Sequence, residues 1–164
     1  MELVTPVHLK NVLLKEEFNN LLNNLPNAEE GIFDQGRSRY MIETSFIREY
    51  GQSLEERAKQ IFNNQNIKSS YSLYCKYFGN ASMEMHKDDN ACTYTIDLCL
   101  KQTEPWGLWV EDKEYILKPN EALCYLGNDQ IHGRLPKNLG FKGSVEMMFF
   151  HYVTPDHWFF TKNT

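Results

Sequence analysis

The spacing of apolar residues changes near Ser69, and this change constrains the fold of the 164-residue chain more than any other feature. Before Ser69 apolar residues recur at helical spacing. After it, short stretches rich in Tyr, Phe, Val, Ile and Thr are separated by Gly, Pro, Asn and Asp. The predicted strands are 70–78, 91–100, 108–110, 114–117, 122–126 and 143–153. Helices followed by many short strands predict an α+β protein with a barrel or sandwich of about eight strands.

The first third of the chain contains two predicted helices. One covers 14–25, with leucines at helical spacing, and Pro26 ends it. The second is expected to begin at Ser53, an N-cap residue that precedes two glutamates and an apolar stripe. Residues 31–40 are predicted to form a loop with short extended pieces.

Length and charge limit the number of domains and the classes of partner. A chain of 19.3 kDa predicts a single domain over 1–164: mainly helical support in 1–68, a β core in 69–153 and a C-terminal tail in 154–164. The net charge is −5 and neither half is basic, which argues against a nucleic-acid partner. No signal peptide or apolar segment of membrane-spanning length is visible, so we expect a cytoplasmic protein without a membrane partner. Its oligomeric state is left open.

The motif with the most chemical content is His86-Lys87-Asp88. In extended backbone, residues two apart project to one side, so this imidazole and this carboxylate can meet at one point. A second histidine would complete a 2-His-1-carboxylate set, which suits iron(II) and leaves coordination positions open. His132, which follows the predicted strand 122–126, is the candidate. A bare His-x-Asp is also common in solvated loops, so the surrounding residues decide its meaning.

A lysine, Lys142, lies ten residues after His132 in the sequence. Alternation in the last predicted strand would place Lys142 on one face with Ser144 and Glu146. A lysine facing a barrel interior needs an anionic partner, because a buried, unpaired ammonium is costly. The alternatives are a lysine extending to solvent at the barrel mouth, or Arg134, whose planar guanidinium suits a carboxylate or a substrate contact.

The order of these motifs along the chain resembles that of a known enzyme family. Tyr77-Phe78-Gly79-Asn80, then His86-x-Asp88, then His132, then Lys142 is similar to the iron(II)- and 2-oxoglutarate-dependent dioxygenases, in particular the prolyl-4-hydroxylase-like branch. The similarity covers about residues 70–153. It implies a double-stranded β-helix, a cupin-like jelly roll, supported by N-terminal helices.

The resemblance also implies roles for individual residues. His86, Asp88 and His132 would hold Fe(II) as the catalytic centre, and Lys142 would pair with the C5 carboxylate of the cosubstrate 2-oxoglutarate. Tyr77 would donate its hydroxyl to the same molecule. Tyr125 and Ser144 are further candidates of this kind.

The implied reaction uses O2 to hydroxylate a C–H bond, with 2-oxoglutarate converted to succinate and CO2. The carboxylate at Asp88 favours hydroxylation over halogenation. An amino acid, a peptidyl residue and a small metabolite all remain candidate substrates. Two alternatives stay open: a non-catalytic jelly-roll or cupin-like binding domain, and a metal-dependent cupin enzyme that does not use 2-oxoglutarate.

The remaining histidines are not expected to bind the metal. His151 is predicted to lie on the strand face opposite Lys142, while His8 precedes the first helix and His157 lies in the tail. Trp106 and Trp109 are expected either to pack in the core or to form an aromatic wall for a substrate.

Overall fold

The computed structural model describes residues 5–156, which form two antiparallel sheets with helices on one outer face. The helices are α1 (Lys15–Asn23), α2 (Ser45–Ser53) and α3 (Glu55–Ile61). The strands are β1 (Val7–Leu9), β2 (Ile32–Asp34), β3 (Arg39–Ile42), β4 (Lys68–Phe78), β5 (Asn80–His86), β6 (Tyr94–Gln102), β7 (Leu108–Val110), β8 (Lys113–Tyr115), β9 (Ala122–Tyr125), β10 (His132–Asn138) and β11 (Ser144–Val153). None of the helices among these residues is long and apolar enough to cross a membrane.

The two sheets form a jelly roll. The larger has the strand order β1-β9-β6-β11-β4-β3-β2, and the smaller has the order β5-β10-β7-β8. The eight strands β4 to β11 divide equally between the sheets, which is the arrangement of a double-stranded β-helix. The predicted fold class is confirmed, including the number of core strands.

The larger sheet separates two apolar cores. One lies between the sheets and contains Tyr77, Met147 and Phe149. The other lies under the helices, where Leu21 and Ile47 pack against the opposite face of the same sheet. The helices therefore cover the outside of the larger sheet and leave the space between the sheets for a site.

The final strand corrects one expectation. Val145, Met147 and Phe149 point between the sheets, whereas Met148 and Phe150 point toward the helices. The face predicted to carry a lysine into the barrel is therefore the outer face. Period-two alternation identified two faces, but it could not show which of them the helices cover.

The N-terminal segment contains strands as well as helices. Three strands, β1, β2 and β3, extend the larger sheet at its edges, and β2 and β3 fall in the region predicted to be mostly loop. The expected cap at Ser53 was wrong, because Ser53 ends α2 and its hydroxyl donates to the Tyr50 carbonyl. The N-cap side chain belongs to Thr44, which accepts from the Ile47 N–H at the start of α2.

Strands β5 and β10 were both missed by sequence reasoning. Strand β10 ends in polar residues and contains Pro136, which cannot donate to a β-ladder. Its pairing with β5 accordingly shifts register on both sides of Arg134. This strand matters for function because it begins at His132.

Candidate active site

Two neighbouring strands bring the candidate metal ligands together. His86 is the last residue of β5 and pairs directly with His132, the first residue of β10. Asp88 follows two residues after His86, and its backbone N–H donates to the Gly127 carbonyl at 2.9 Å. Ligand atoms of the three side chains all lie within 4.8 Å of one another.

Backbone carbonyls orient both imidazoles. His86 Nδ1 lies 2.6 Å from the Glu84 carbonyl oxygen, and His132 Nδ1 lies 2.8 Å from that of Gln130. A carbonyl oxygen can only accept, so each Nδ1 carries the proton. Nε2 is then the nitrogen of each ring that faces Asp88, at 3.1 Å from Oδ1 for His86 and 3.3 Å from Oδ2 for His132. Such outer hydrogen bonds fix the tautomer that a metal requires.

The three side chains are electrostatically coupled. Burial opposes ionisation of Asp88, but hydrogen bonds from His132 and His86 outweigh it and hold the pKa of Asp88 below its ordinary value. Burial likewise opposes protonation of His132, yet the hydrogen bond that His132 donates to the Asp88 carboxylate prevails and raises the pKa of His132. The carboxylate is therefore ionised and available as an anionic ligand.

Gly127 makes room for this carboxylate. A Cβ at position 127 would lie 2.8 Å from Asp88 Oδ2, 2.6 Å from Thr95 Oγ1 and 2.6 Å from the Cys92 carbonyl oxygen. Contacts this short cannot be accommodated without movement of the backbone. The absence of a side chain at Gly127 is thus required for the observed position of Asp88.

A cavity of about 130 Å³ extends from the three candidate ligands into the space between the sheets. Its walls include Leu73, Met83 and Phe149, together with Arg39 and Asp97. An engineered apolar cavity of about 150 Å³ accepts benzene, so this volume suits a small metabolite. The candidate ligands therefore lie at one end of a space suited to a small polar molecule.

Arg134 lies two residues beyond His132 and is only 4% exposed. Its Nη1 donates to the Trp106 carbonyl at 2.6 Å, and its guanidinium stands 4.9 Å from the centroid of the Trp106 ring. Its Nε and Nη2 are buried and have no hydrogen-bond partner among the described residues. A buried guanidinium with two unused N–H donors can bind a carboxylate by donating to its oxygens.

Sequence reasoning missed a second buried arginine, Arg39. It lies opposite Tyr77 in the β3–β4 pair and lines the cavity. Its Nη1 donates to the Tyr77 hydroxyl at 3.0 Å, and its Nε donates to Asp34 at 3.0 Å. Alternation within β3 could have indicated an inward side chain, but residues 31–40 carry too many turn residues to suggest a strand. Because the Tyr77 hydroxyl accepts from Arg39, its own proton remains for another acceptor.

The other predicted cosubstrate residues are distributed differently. Lys142 is exposed in the turn before β11 and does not line the cavity, so the expectation that it faces the barrel interior was wrong. Ser144 starts β11 and exchanges hydrogen bonds with Thr103. Tyr125 does line the cavity, but its hydroxyl donates to Asp97 at 2.8 Å.

Two further histidines lie apart from the candidate ligand cluster. His151 lines the cavity and bonds through Nδ1 to Thr95 Oγ1 at 3.1 Å. Burial lowers the pKa of His151 to about 4, so its imidazole is neutral. His8 is exposed and pairs with Glu121. His157 lies outside the described residues.

The two tryptophans that were expected to pack in the core or to form an aromatic wall lie in different environments. Trp106 is buried in the core between the sheets, against Tyr77 at 5.2 Å between ring centroids. Trp109 is partly buried on β7, and neither tryptophan lines the cavity.

No protein-family model matches the sequence, and no curated protein matches it significantly. Solved structures do match. HygX from Streptomyces hygroscopicus, with nickel, 2-oxoglutarate and hygromycin B bound, superposes with a TM-score of 0.69 at 10% identity, over 92% of this chain and 83% of HygX.

Two others are similar to the same degree. A 2OG-Fe(II) oxygenase family oxidoreductase from Burkholderia pseudomallei has a TM-score of 0.67 at 9% identity, covering 91% of this chain and 84% of its own. The viral collagen prolyl hydroxylase of Paramecium bursaria Chlorella virus-1, in its 2-oxoglutarate complex, has a TM-score of 0.65 at 13% identity, covering 90% and 94%. The chain therefore has the double-stranded β-helix fold of the 2OG-Fe(II) oxygenases.

Proposed function

We propose that the protein is an Fe(II)- and 2-oxoglutarate-dependent oxygenase that hydroxylates a C–H bond and releases succinate and CO2. One observation carries the proposal: two oriented imidazoles and the carboxylate of Asp88 converge at the end of a cavity that also contains a buried arginine. An isolated ligand cluster would fit many metalloproteins. The buried Arg39, which lines the same cavity, favours a metal centre that works with an acidic cosubstrate.

The residues present fit the proposed metal. His86, Asp88 and His132 supply the two nitrogens and one oxygen that suit non-haem Fe(II) and leave the cavity side open. When bound, the iron would supply the activation of O2 and a chelating centre for a 2-oxo acid. The polypeptide fixes the ligands through the Glu84 and Gln130 carbonyls and encloses the site between the sheets.

Arg134 is the better candidate to bind the C5 carboxylate of 2-oxoglutarate. Neither Arg134 nor Lys142 lines the cavity, but Arg134 is buried and has two unused N–H donors, whereas Lys142 is exposed. Tyr77 stands near Arg134 across the Trp106 ring and has a free hydroxyl proton. Arg39 holds the Tyr77 hydroxyl from the other side, so Tyr77 and Arg134 together offer donors to one carboxylate.

The proposed substrate is a free amino acid, a peptidyl residue or a small metabolite. HygX was solved with hygromycin B, and the viral protein is a collagen prolyl hydroxylase, so both small-molecule and peptidyl chemistry occur on this fold. The net charge of −5 favours these classes over nucleic acid.

Succinate release tests the proposal. Protein supplied with Fe(II), 2-oxoglutarate and O2 should release succinate faster in the presence of some members of a panel of amino acids, peptides and metabolites. His132→Ala protein is the control and should release none above background. Folded wild-type protein that binds iron but neither binds nor turns over 2-oxoglutarate would instead support a cupin-like enzyme of another kind. Protein that binds neither would support a non-catalytic binding domain.

A further inference from the structure

The cavity contains a second carboxyl group, Asp97, which has no role in the proposed metal site. Asp97 lies in the middle of β6, paired across the sheet with Leu123 on β9 and Phe149 on β11. Its side chain is 1% exposed and lines the cavity. The site thus combines a buried acid with a space proposed to receive a dianion.

Only one of the two Asp97 oxygens is satisfied. Oδ2 accepts a hydrogen bond from the Tyr125 hydroxyl at 2.8 Å. Oδ1 is buried and has no partner among the described residues. Burying an ionised carboxylate with a single hydrogen bond is costly, whereas the neutral acid needs only one acceptor for its O–H. The bonding pattern therefore favours an acid whose Oδ2 is the carbonyl oxygen and whose Oδ1 carries the proton.

The charges around Asp97 oppose one another. Arg134 and His132 on β10 favour its ionised form, while Asp88 disfavours it. Burial outweighs all of these and raises the pKa of Asp97 to about 7. The apolar neighbours Leu123 and Phe149 provide little solvation for an anion.

We propose that Asp97 positions the cosubstrate: its neutral carboxyl group donates a hydrogen bond from Oδ1 to an oxygen of 2-oxoglutarate while Oδ2 continues to accept from Tyr125. The inference rests on the proposed function, because 2-oxoglutarate presents only acceptors to the wall of the cavity. A neutral acid complements these acceptors, whereas an ionised Asp97 would repel the dianion. Carboxylic acids kept neutral by an apolar site are known to act as donors in this way.

Two substitutions distinguish this role from a structural one. In Fe(II)-loaded protein without O2, Asp97→Asn should bind 2-oxoglutarate within about threefold of wild type, because the amide keeps both a donor and an acceptor. Asp97→Leu should weaken binding about tenfold or more, because it removes the donor. Calorimetric titration with 2-oxoglutarate measures both, and melting temperatures establish that each variant is folded.

The opposite outcomes overturn the inference. Equal or tighter binding by Asp97→Leu would mean that Asp97 contributes no hydrogen bond. An equal loss in both variants would mean that the loss does not come from the missing donor, because Asn retains one. Infrared spectroscopy gives a second measurement if Asp97→Leu fails to fold. The complex of wild-type protein with 2-oxoglutarate should show a protonated carboxyl C=O band that Asp97→Asn lacks, and absence of that band contradicts the inference.

Failure of the underlying function is distinguishable. Wild-type protein that loads iron but does not bind 2-oxoglutarate would overturn the proposed function and this inference together. Normal binding by wild type combined with tight binding by Asp97→Leu would overturn this inference alone.

Discussion

The two ends of the cavity differ in how far they are determined by local sequence. At the metal end, His86 and Asp88 are two residues apart and Gly127 fixes the backbone of Asp88. At the arginine end, Arg39 lines the cavity, whereas Arg134 and Tyr77 are buried beside it without lining it. These three residues come from three strands that are distant in the chain. Neighbouring residues supply two of the three candidate metal ligands, and only His132 comes from another strand. The arginine end exists only once β3, β4 and β10 have assembled.

This difference explains why the expected inward position of Lys142 was wrong. Lys142 lies at a suitable distance in sequence from His132, but it falls in an exposed turn. Arg134 lies only two residues from His132 on the same strand, so it points to the same side of β10 and into the interior.

The largest expected effect is at the metal end. His132→Ala removes a buried ligand and should abolish stoichiometric Fe(II) binding, together with succinate release. Equilibrium dialysis under anaerobic conditions measures the bound iron. His8→Ala, which changes an exposed histidine paired with Glu121, is the matched control and should bind iron as wild type does. Full iron occupancy in His132→Ala would refute the ligand assignment.

The second-largest effect is expected from substitutions at the arginine end, which should change the affinity for 2-oxoglutarate but not for iron. Arg134→Ala should weaken 2-oxoglutarate binding by about 100-fold, because a carboxylate would lose a buried charge-assisted partner. Lys142→Ala is the matched control and should change binding less than about threefold, since the lysine is exposed. Iron binding should be unchanged in both. If the two effects were exchanged, the lysine would be the anchor after all.

Gly127→Ala tests whether the metal end depends on backbone space. Its methyl group would displace Asp88 Oδ2, so Fe(II) affinity should fall by about tenfold or more, as for changes in residues that support metal ligands. The measurement is a competition titration with a metal chelator. Gly36→Ala is a suitable control, because its added methyl would meet only ordinary contacts. Unchanged iron affinity in Gly127→Ala would show that Asp88 tolerates another position.

A further prediction concerns folding stability and its dependence on pH rather than ligand binding. The pKa of Asp97 is raised to about 7 in the folded protein, whereas an aspartate in the unfolded chain has a pKa of about 4. As pH rises, Asp97 therefore loses its proton in the unfolded state before it does so in the folded state. Stability should therefore fall between about pH 4 and 7 and stay reduced above that range. Asp97→Asn removes this penalty and should stabilise the metal-free protein at pH 8, by up to about 4 kcal/mol, but hardly at pH 4. Urea unfolding at both pH values checks this, and an equal effect at both would contradict it.

The sequence allowed most of the architecture to be predicted. Six of the eight core strands, all except β5 and β10, were predicted from alternation and turn residues. The neighbours His86 and Asp88 needed only extended backbone to converge. Strand β10 was missed because Pro136 and polar residues obscure its alternation. Arg39 and Asp97 were missed for a different reason. Their roles depend on which strands become neighbours and which sheet face the helices cover, and neither property is local.

The most direct test of the account is optical titration of the Fe(II)-loaded protein with 2-oxoglutarate in the absence of O2. A 2-oxo acid that chelates iron held by two histidines and one carboxylate should produce a weak visible charge-transfer band that saturates at one equivalent. We predict this band in wild-type protein and its loss in His132→Ala. Folded, iron-loaded wild-type protein that gives no band, or a band that persists in His132→Ala, would contradict the assignment of His86, Asp88 and His132 as an iron centre for 2-oxoglutarate.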